Sequence, residues 1–213
     1  MYLLLDDLAG ASLIAGFVWI QWRDQLRELG QLRSAVPART MRGICSGFRP
    51  GASTLNPDGT RSPIPQQVAE VPPLADPADP LGWHELDAPP AMAMRRARRI
   101  DVYRQAGRLV VDAMFRDSCW EPDGREIGVH EYQLHATADA AAGGLTSVHA
   151  VPRVLPYEEC PLAAPNVAGL VGARLADLGG GVLARLPGIL GCTHLNDALR
   201  ALTEVPVLAA ALT

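Results

Sequence analysis

The chain has 213 residues, of which 48% are apolar, so it can bury a substantial core, and its formal net charge of −4 argues against a surface built for nucleic-acid phosphates. All 19 basic residues are arginine. Schiff-base or Walker-type chemistry, which needs a lysine amine, is therefore excluded. Abundant Ala, Gly and Pro beside these arginines fit a GC-rich genome.

Taken in chain order, the opening "MYLLLDDLAGASLIAGFVWIQW" is apolar but is interrupted by Asp6 and Asp7 and has no basic leader. It reads as neither a signal peptide nor a membrane span. With four cysteines (Cys45, Cys119, Cys160, Cys192) and no export signal, reduced thiols and a cytoplasmic location are the expectation. "YLLL" and "ASLIAGFVWIQW" around a turn-like "DDLAG" predict a β-hairpin over residues 2–22, and leucines at 26, 29 and 32 among charges predict a short amphipathic helix. Together these form an N-terminal element over 1–36. Residues 37–93 are rich in proline and turn formers and read as an irregular connector, either a linker or an arm that wraps a partner subunit. A main domain is expected over 94–213.

Within it, "MRRARR" at Met94–Arg99 reads as a solvated strand face, with a phosphate clamp as the alternative. "ARRIDVYRQAG", "RLVVDAMFRDSCW", "EIGVHEYQLHATADAA" and "LTSVHAVPRVLPY" predict four strands joined at "QAG", "EPDG" and "AAGG". Glycine-separated helices follow in "APNVAGLVGARLADL", "GVLARLPGI" and "THLNDALRALTEVPVLAAAL". This order is α+β, an antiparallel sheet with helices packed on one face.

Cys160 follows the last strand and precedes the first helix, and Cys192 and His194 precede the last helix. Helix N-termini offer free N–H groups that favour a thiolate, so either cysteine is a candidate for reactivity or metal ligation, while a buried apolar filler is the plain alternative. His194 reads as a ligand, a base for Cys192, or a backbone-bonded half-buried histidine. On the third predicted strand, side-chain alternation puts His130, Tyr132 and Leu134 on one face and Glu131, Gln133 and His135 on the other. If the first set faces the helices, His130 lies beneath their N-terminal ends. Arg49, in a loop with Cys45, and Arg153 are candidate anchors for an anionic substrate; Cys119 reads as structural. The chain contains no CxxC, HExxH, GxSxG, GxGxxG or phosphate-binding loop.

"RRARRIDV", "VHEYQL", "RVLPYEECPLAAPN" and "GCTHLNDALRAL" together resemble a bacterial family of unknown function, family 2889, whose members end in a Gly-Cys-Thr-His-Leu motif; the likeness covers residues 94–213. A second similarity is to the IscU/NifU-type iron–sulfur scaffold, in which three cysteines and an aspartate converge from a strand turn, the helix after the last strand and the start of the final helix. It implies His130 or Glu131 at the first position, Cys160 at the second and Cys192 at the third, with His194 adjacent. The chain lacks the cysteine at the first position. Two thiolates with one or two imidazoles suit tetrahedral zinc, or mononuclear iron, better than a labile cluster. Residues His130, Cys160, Cys192 and His194 are thus the expected metal ligands. The competing readings are a small-molecule catabolic enzyme, with Cys192 as nucleophile and His194 or His130 as its proton partner, and a non-catalytic subunit that binds a protein partner through the Pro-rich arm.

Overall fold

The computed structural model describes residues 2–30, 39–87, 89 and 91–212. Four long strands form an antiparallel meander: β2 (Met94–Gln105), β3 (Arg108–Trp120), β4 (Glu126–Asp139) and β5 (Leu145–Val154). A two-residue strand, β1 (Ala69–Glu70), pairs with the start of β4 on the same edge that β5 occupies further along. The turns fall where the sequence places them. Gly107, Gly124 and Gly143 all take positive φ there, a conformation glycine adopts without steric cost.

Alternation along the strands sorts the two faces. Val111, Ala113 and Phe115 of β3 and Tyr132, Leu134 and Ala136 of β4 point to one side and are buried. Against them lie the 3-10 run Cys160–Leu170 and helices α4 (Leu178–Arg185), α5 (Thr193–Arg200) and α6 (Val205–Ala210), which contribute Val167, Leu170, Val182, Leu195 and Leu199 to a single core. The α+β architecture with helices on one face is what the element order predicts. The segment expected as a first helix is a 3-10 run instead, with Pro161 at its start and Pro165 inside it; proline has no N–H for an α-helical bond. Among the described residues, no helix is long and apolar enough to cross a membrane.

The expected N-terminal hairpin is absent. Residues 2–28 are helical: α1 (Tyr2–Ala11), α2 (Ala15–Gln21) and α3 (Arg23–Glu28). Ile14, Phe17 and Val18 explain the difference, because their i, i+3, i+4 spacing makes one helical stripe, and that stripe is buried against Cys119, Ile127 and Val129 at the far end of the sheet. The amphipathic segment after it is helical only to Glu28, and its expected continuation through 31–36 lies outside the described residues. Gly10, read as part of a turn, is a point of close approach: a Cβ there would lie 2.0 Å from Nη1 of Arg96. Gly10→Ala is expected to destabilise the protein by about 1–3 kcal/mol, the usual cost of overpacking, as urea unfolding would measure. An unchanged midpoint would show that α1 does not dock there.

Among its described residues the proline-rich segment is irregular apart from the 3-10 turn Ser46–Phe48 and β1, and residues 66–82 run along this chain's own sheet. Gln67 N–H donates to the Pro156 carbonyl, Val71 N–H to that of Glu126, Arg116 Nη1 to that of Pro72, and Arg99 pairs with Asp79. The arm thereby covers part of the sheet face opposite the helices.

Candidate metal centre

The irregularity that builds the site is a β-bulge. Asp117 pairs with His130 and Ser118 with Gly128, leaving Val129 without a partner. An extra residue of this kind lets two successive side chains share a face. Val129 and His130 are accordingly both buried on the helical side. Facing His130 from above is the start of α5, where Cys192 is the N-cap and the Asn196 N–H closes the first helical bond onto the Cys192 carbonyl at 2.7 Å. His194 follows in the first turn.

These elements bring together His130, Cys192 and His194, whose potential ligand atoms all lie within 4.8 Å of one another. All three side chains are buried, with relative exposures of 8%, 3% and 7%. The imidazoles stack with centroids 3.5 Å apart and planes 12° from parallel. Nδ1 of His130 and Nε2 of His194 are buried without a hydrogen-bond partner. Buried polar atoms are rarely left unpaired, and an ion is one of the things that accounts for them. Burial, with Arg96 nearby, pushes the His130 pKa down to about 3, and burial together with His130 and Arg96 holds His194 well below the ordinary range. Both rings are therefore neutral at neutral pH, the form that ligates metal. Burial raises the Cys192 thiol, opposed by the Leu195 N–H, the Tyr132 hydroxyl and the His194 N–H.

Next to the triad lies a buried ion network. Arg96 grips both oxygens of Asp117 through Nε and Nη2 at 2.8 Å each and Asp197 of α5 through Nη1 at 2.8 Å, and Asp7 of α1 pairs with Arg98. Asp117 Oδ2 stands 3.6 Å from Nε2 of His194, beyond hydrogen-bonding distance. "MRRARR" is thus neither a solvated face nor a phosphate clamp at Arg96 and Arg98, both of which turn inward to carboxylates. Alternation along β2 is the sequence signal for this, since Arg96, Arg98 and Ile100 share a face; the acidic partners come from distant elements and carry no local signal.

The other expected site residues fall elsewhere. Cys160 lies outside the triad, at the start of the 3-10 run beside Gly47 and Cys45. Glu131 points to the opposite sheet face and pairs with Arg116. Arg153 also lies on that face, exposed and donating to Gln133, where it lines an open cleft of about 350 Å³ that shares no residue with the triad. Arg49 is within electrostatic reach of Glu159. Of the four thiols only Cys45 is partly exposed. Peptide mapping after brief alkylation at neutral pH is expected to find Cys45 modified first and Cys119, Cys160 and Cys192 modified only on unfolding; rapid loss of the Cys192 thiol would contradict this burial.

No curated protein and no solved structure matches the chain, so the likeness to the iron–sulfur scaffold gains no support from known folds. A family model described as "Protein of unknown function (DUF2889)" matches residues 94–208, the span that holds β2 to β5, the triad and its covering helices. The chain belongs to the DUF2889 family.

Proposed function

We propose that this protein is a metal-binding module that holds zinc or iron through His130, Cys192 and His194. The observation that carries this reading is the pair of buried imidazole nitrogens, Nδ1 of His130 and Nε2 of His194, left without partners beside a buried thiol. Two imidazoles and a thiolate are a donor set that suits zinc or iron, and three protein ligands leave a tetrahedral ion one position for water or substrate. With Nε2 given to the metal, the other ring nitrogen of His194, Nδ1, lies 3.2 Å from the Thr193 hydroxyl, an outer partner of the kind that orients metal-bound histidines.

Use of Cys192 as a free enzymatic nucleophile is less well supported. The reactive species is the thiolate, whereas Cys192 is buried and its pKa is raised by that burial. Competition titration of the purified protein with a chromophoric zinc chelator tests the reading. Wild-type protein is expected to withdraw zinc from the chelator, His194→Ala to fail, and Thr193→Val to bind about 10-fold more weakly, the low end of the usual cost of losing an outer partner. Equal zinc uptake by wild type and His194→Ala would refute it.

A further inference from the structure

The sheet face away from the helices carries a second set of ligand-type side chains. Antiparallel pairing sets Asp101 of β2, Asp112 of β3, His135 of β4 and His149 of β5 opposite one another in a single row across the four long strands. Cross-strand partners share a face. Their chain neighbours Val111, Ala136 and Val148 are buried on the helical side, so the row faces outward. The arm reaches the sheet at Arg99 and Arg116 and leaves this row open: the side chains of Asp112 and His135 are 44% and 43% exposed, and His149 is exposed.

The polar partners within the row are already divided. Asp101 is held by Arg99, whose Nε donates to its two oxygens at 3.0 and 2.7 Å. Asp112 lies 2.6 Å from Nδ1 of His135. An ionised carboxylate can only accept a hydrogen bond, so the ring proton sits on Nδ1, and in the neutral imidazole Nε2 carries the free lone pair. A carboxylate bonded in this way fixes the tautomer and orientation of metal-ligating histidines. With Nδ1 turned toward β3, the ring presents Nε2 away from β3, on the side where β5 carries His149. Neither Nε2 of His135 nor the ring of His149 has a hydrogen-bond partner among the described residues. Directly opposite residues on antiparallel strands have Cβ atoms about 4.5–5.5 Å apart, within reach of two imidazoles that close on one ion by rotation of the exposed His149 side chain.

We propose that His135 and His149 form a second, exposed metal site, oriented by Asp112, that takes a divalent cation favouring tetragonal nitrogen and oxygen ligation, copper(II) or nickel(II). Two imidazole nitrogens come from the protein and water fills the remaining positions. Asp112 stays outside the coordination sphere. The site shares no residue with the buried triad, lies on the other face of the sheet and lacks the thiolate that suits the triad to zinc or iron.

Isothermal titration of the full chain with nickel(II) tests this. Wild type is expected to show a saturable event that persists in His194→Ala and is lost in His135→Gln and in His149→Gln. Asp112→Ala should weaken it about 10-fold, the low end of the usual cost of removing an outer carboxylate. All three row positions face solvent, so these variants keep the fold. Independently of any variant, substoichiometric nickel(II), paramagnetic with nitrogen and water ligands, should broaden the ring-proton resonances of His135 and His149 before those of His130 and His194. Equal uptake by wild type and His149→Gln, or broadening confined to His130 and His194, would overturn the exposed site. An event abolished in His194→Ala but kept in His149→Gln would assign the ion to the triad and overturn it as well. Absence of any nickel binding would overturn it too, and would leave the zinc competition of the triad to decide that reading separately.

Discussion

At a zinc concentration a thousandfold above its Kd, the protein is expected to melt about 8–16 °C higher than its metal-free form. A ligand that binds only the native state adds RT ln(1 + [L]/Kd), about 4.1 kcal/mol at that concentration. For a chain of this size each kcal/mol moves Tm by about 2–4 °C. The metal-free protein also carries the cost of burying Nδ1 of His130 and Nε2 of His194 unpaired, about 1–3 kcal/mol for each such group. Cys192→Ser and His194→Ala remove a donor each and are expected to melt at the same temperature with and without zinc. Thermal unfolding of the three proteins in parallel checks this, and an equal zinc increment in wild type and His194→Ala would place the ion elsewhere.

The second large effect lies in the ion network. Arg96→Met is expected to cost about 3–5 kcal/mol, because it leaves a buried charge without its partner. Asp117 is fully buried and both of its oxygens are held by Arg96. Burial pushes the Asp117 pKa up to about 6 even though the arginine pulls it down. In the variant the carboxyl should move higher still and take up a proton. A native pKa above the unfolded one means the native state binds more protons, so stability falls as pH rises. In the metal-free variant that fall should run from near 3.8, the ordinary aspartate value, to above 6. The double variant Arg96→Met, Asp117→Leu is expected to recover most of the loss, since an apolar pair of similar volume often replaces a buried ion pair at little cost. Asp197 keeps Arg200 as a partner there. Urea unfolding across pH 5–8 measures each term, and additive losses in the double variant would show that the pair is not coupled.

Sheet and site differ in how far the sequence reveals them. Strands β2 to β5 are legible because each carries its own period-two pattern and ends at glycine turns. The same alternation correctly turns His130 and Tyr132 toward the helices. The N-terminal helices are not legible that way: "FVWIQW" is rich in residues that favour strands, and what makes it helical is burial of Ile14, Phe17 and Val18 against a sheet end about a hundred residues away. Cys192 and His194 advertise themselves by their place before a helix. Cys45 gives no such signal, because its loop is brought beside Cys160 and Gly191 by the close passage of Gly47 and the bond from the Ser46 N–H. Asp117 is equally hidden, an acidic residue in an apolar strand whose role depends on Arg96 and on the bulge opposite it.

The proposed function turns on whether the buried His130, Cys192 and His194 triad binds metal. Elemental analysis of anaerobically purified wild-type protein beside Cys192→Ser, after both have been offered zinc and iron and then desalted, tests it most directly. At least one equivalent of zinc or iron is expected in the wild type and the loss of that equivalent in Cys192→Ser, with both proteins folded by circular dichroism. Wild-type protein that emerges folded and metal-free after that exposure would contradict it.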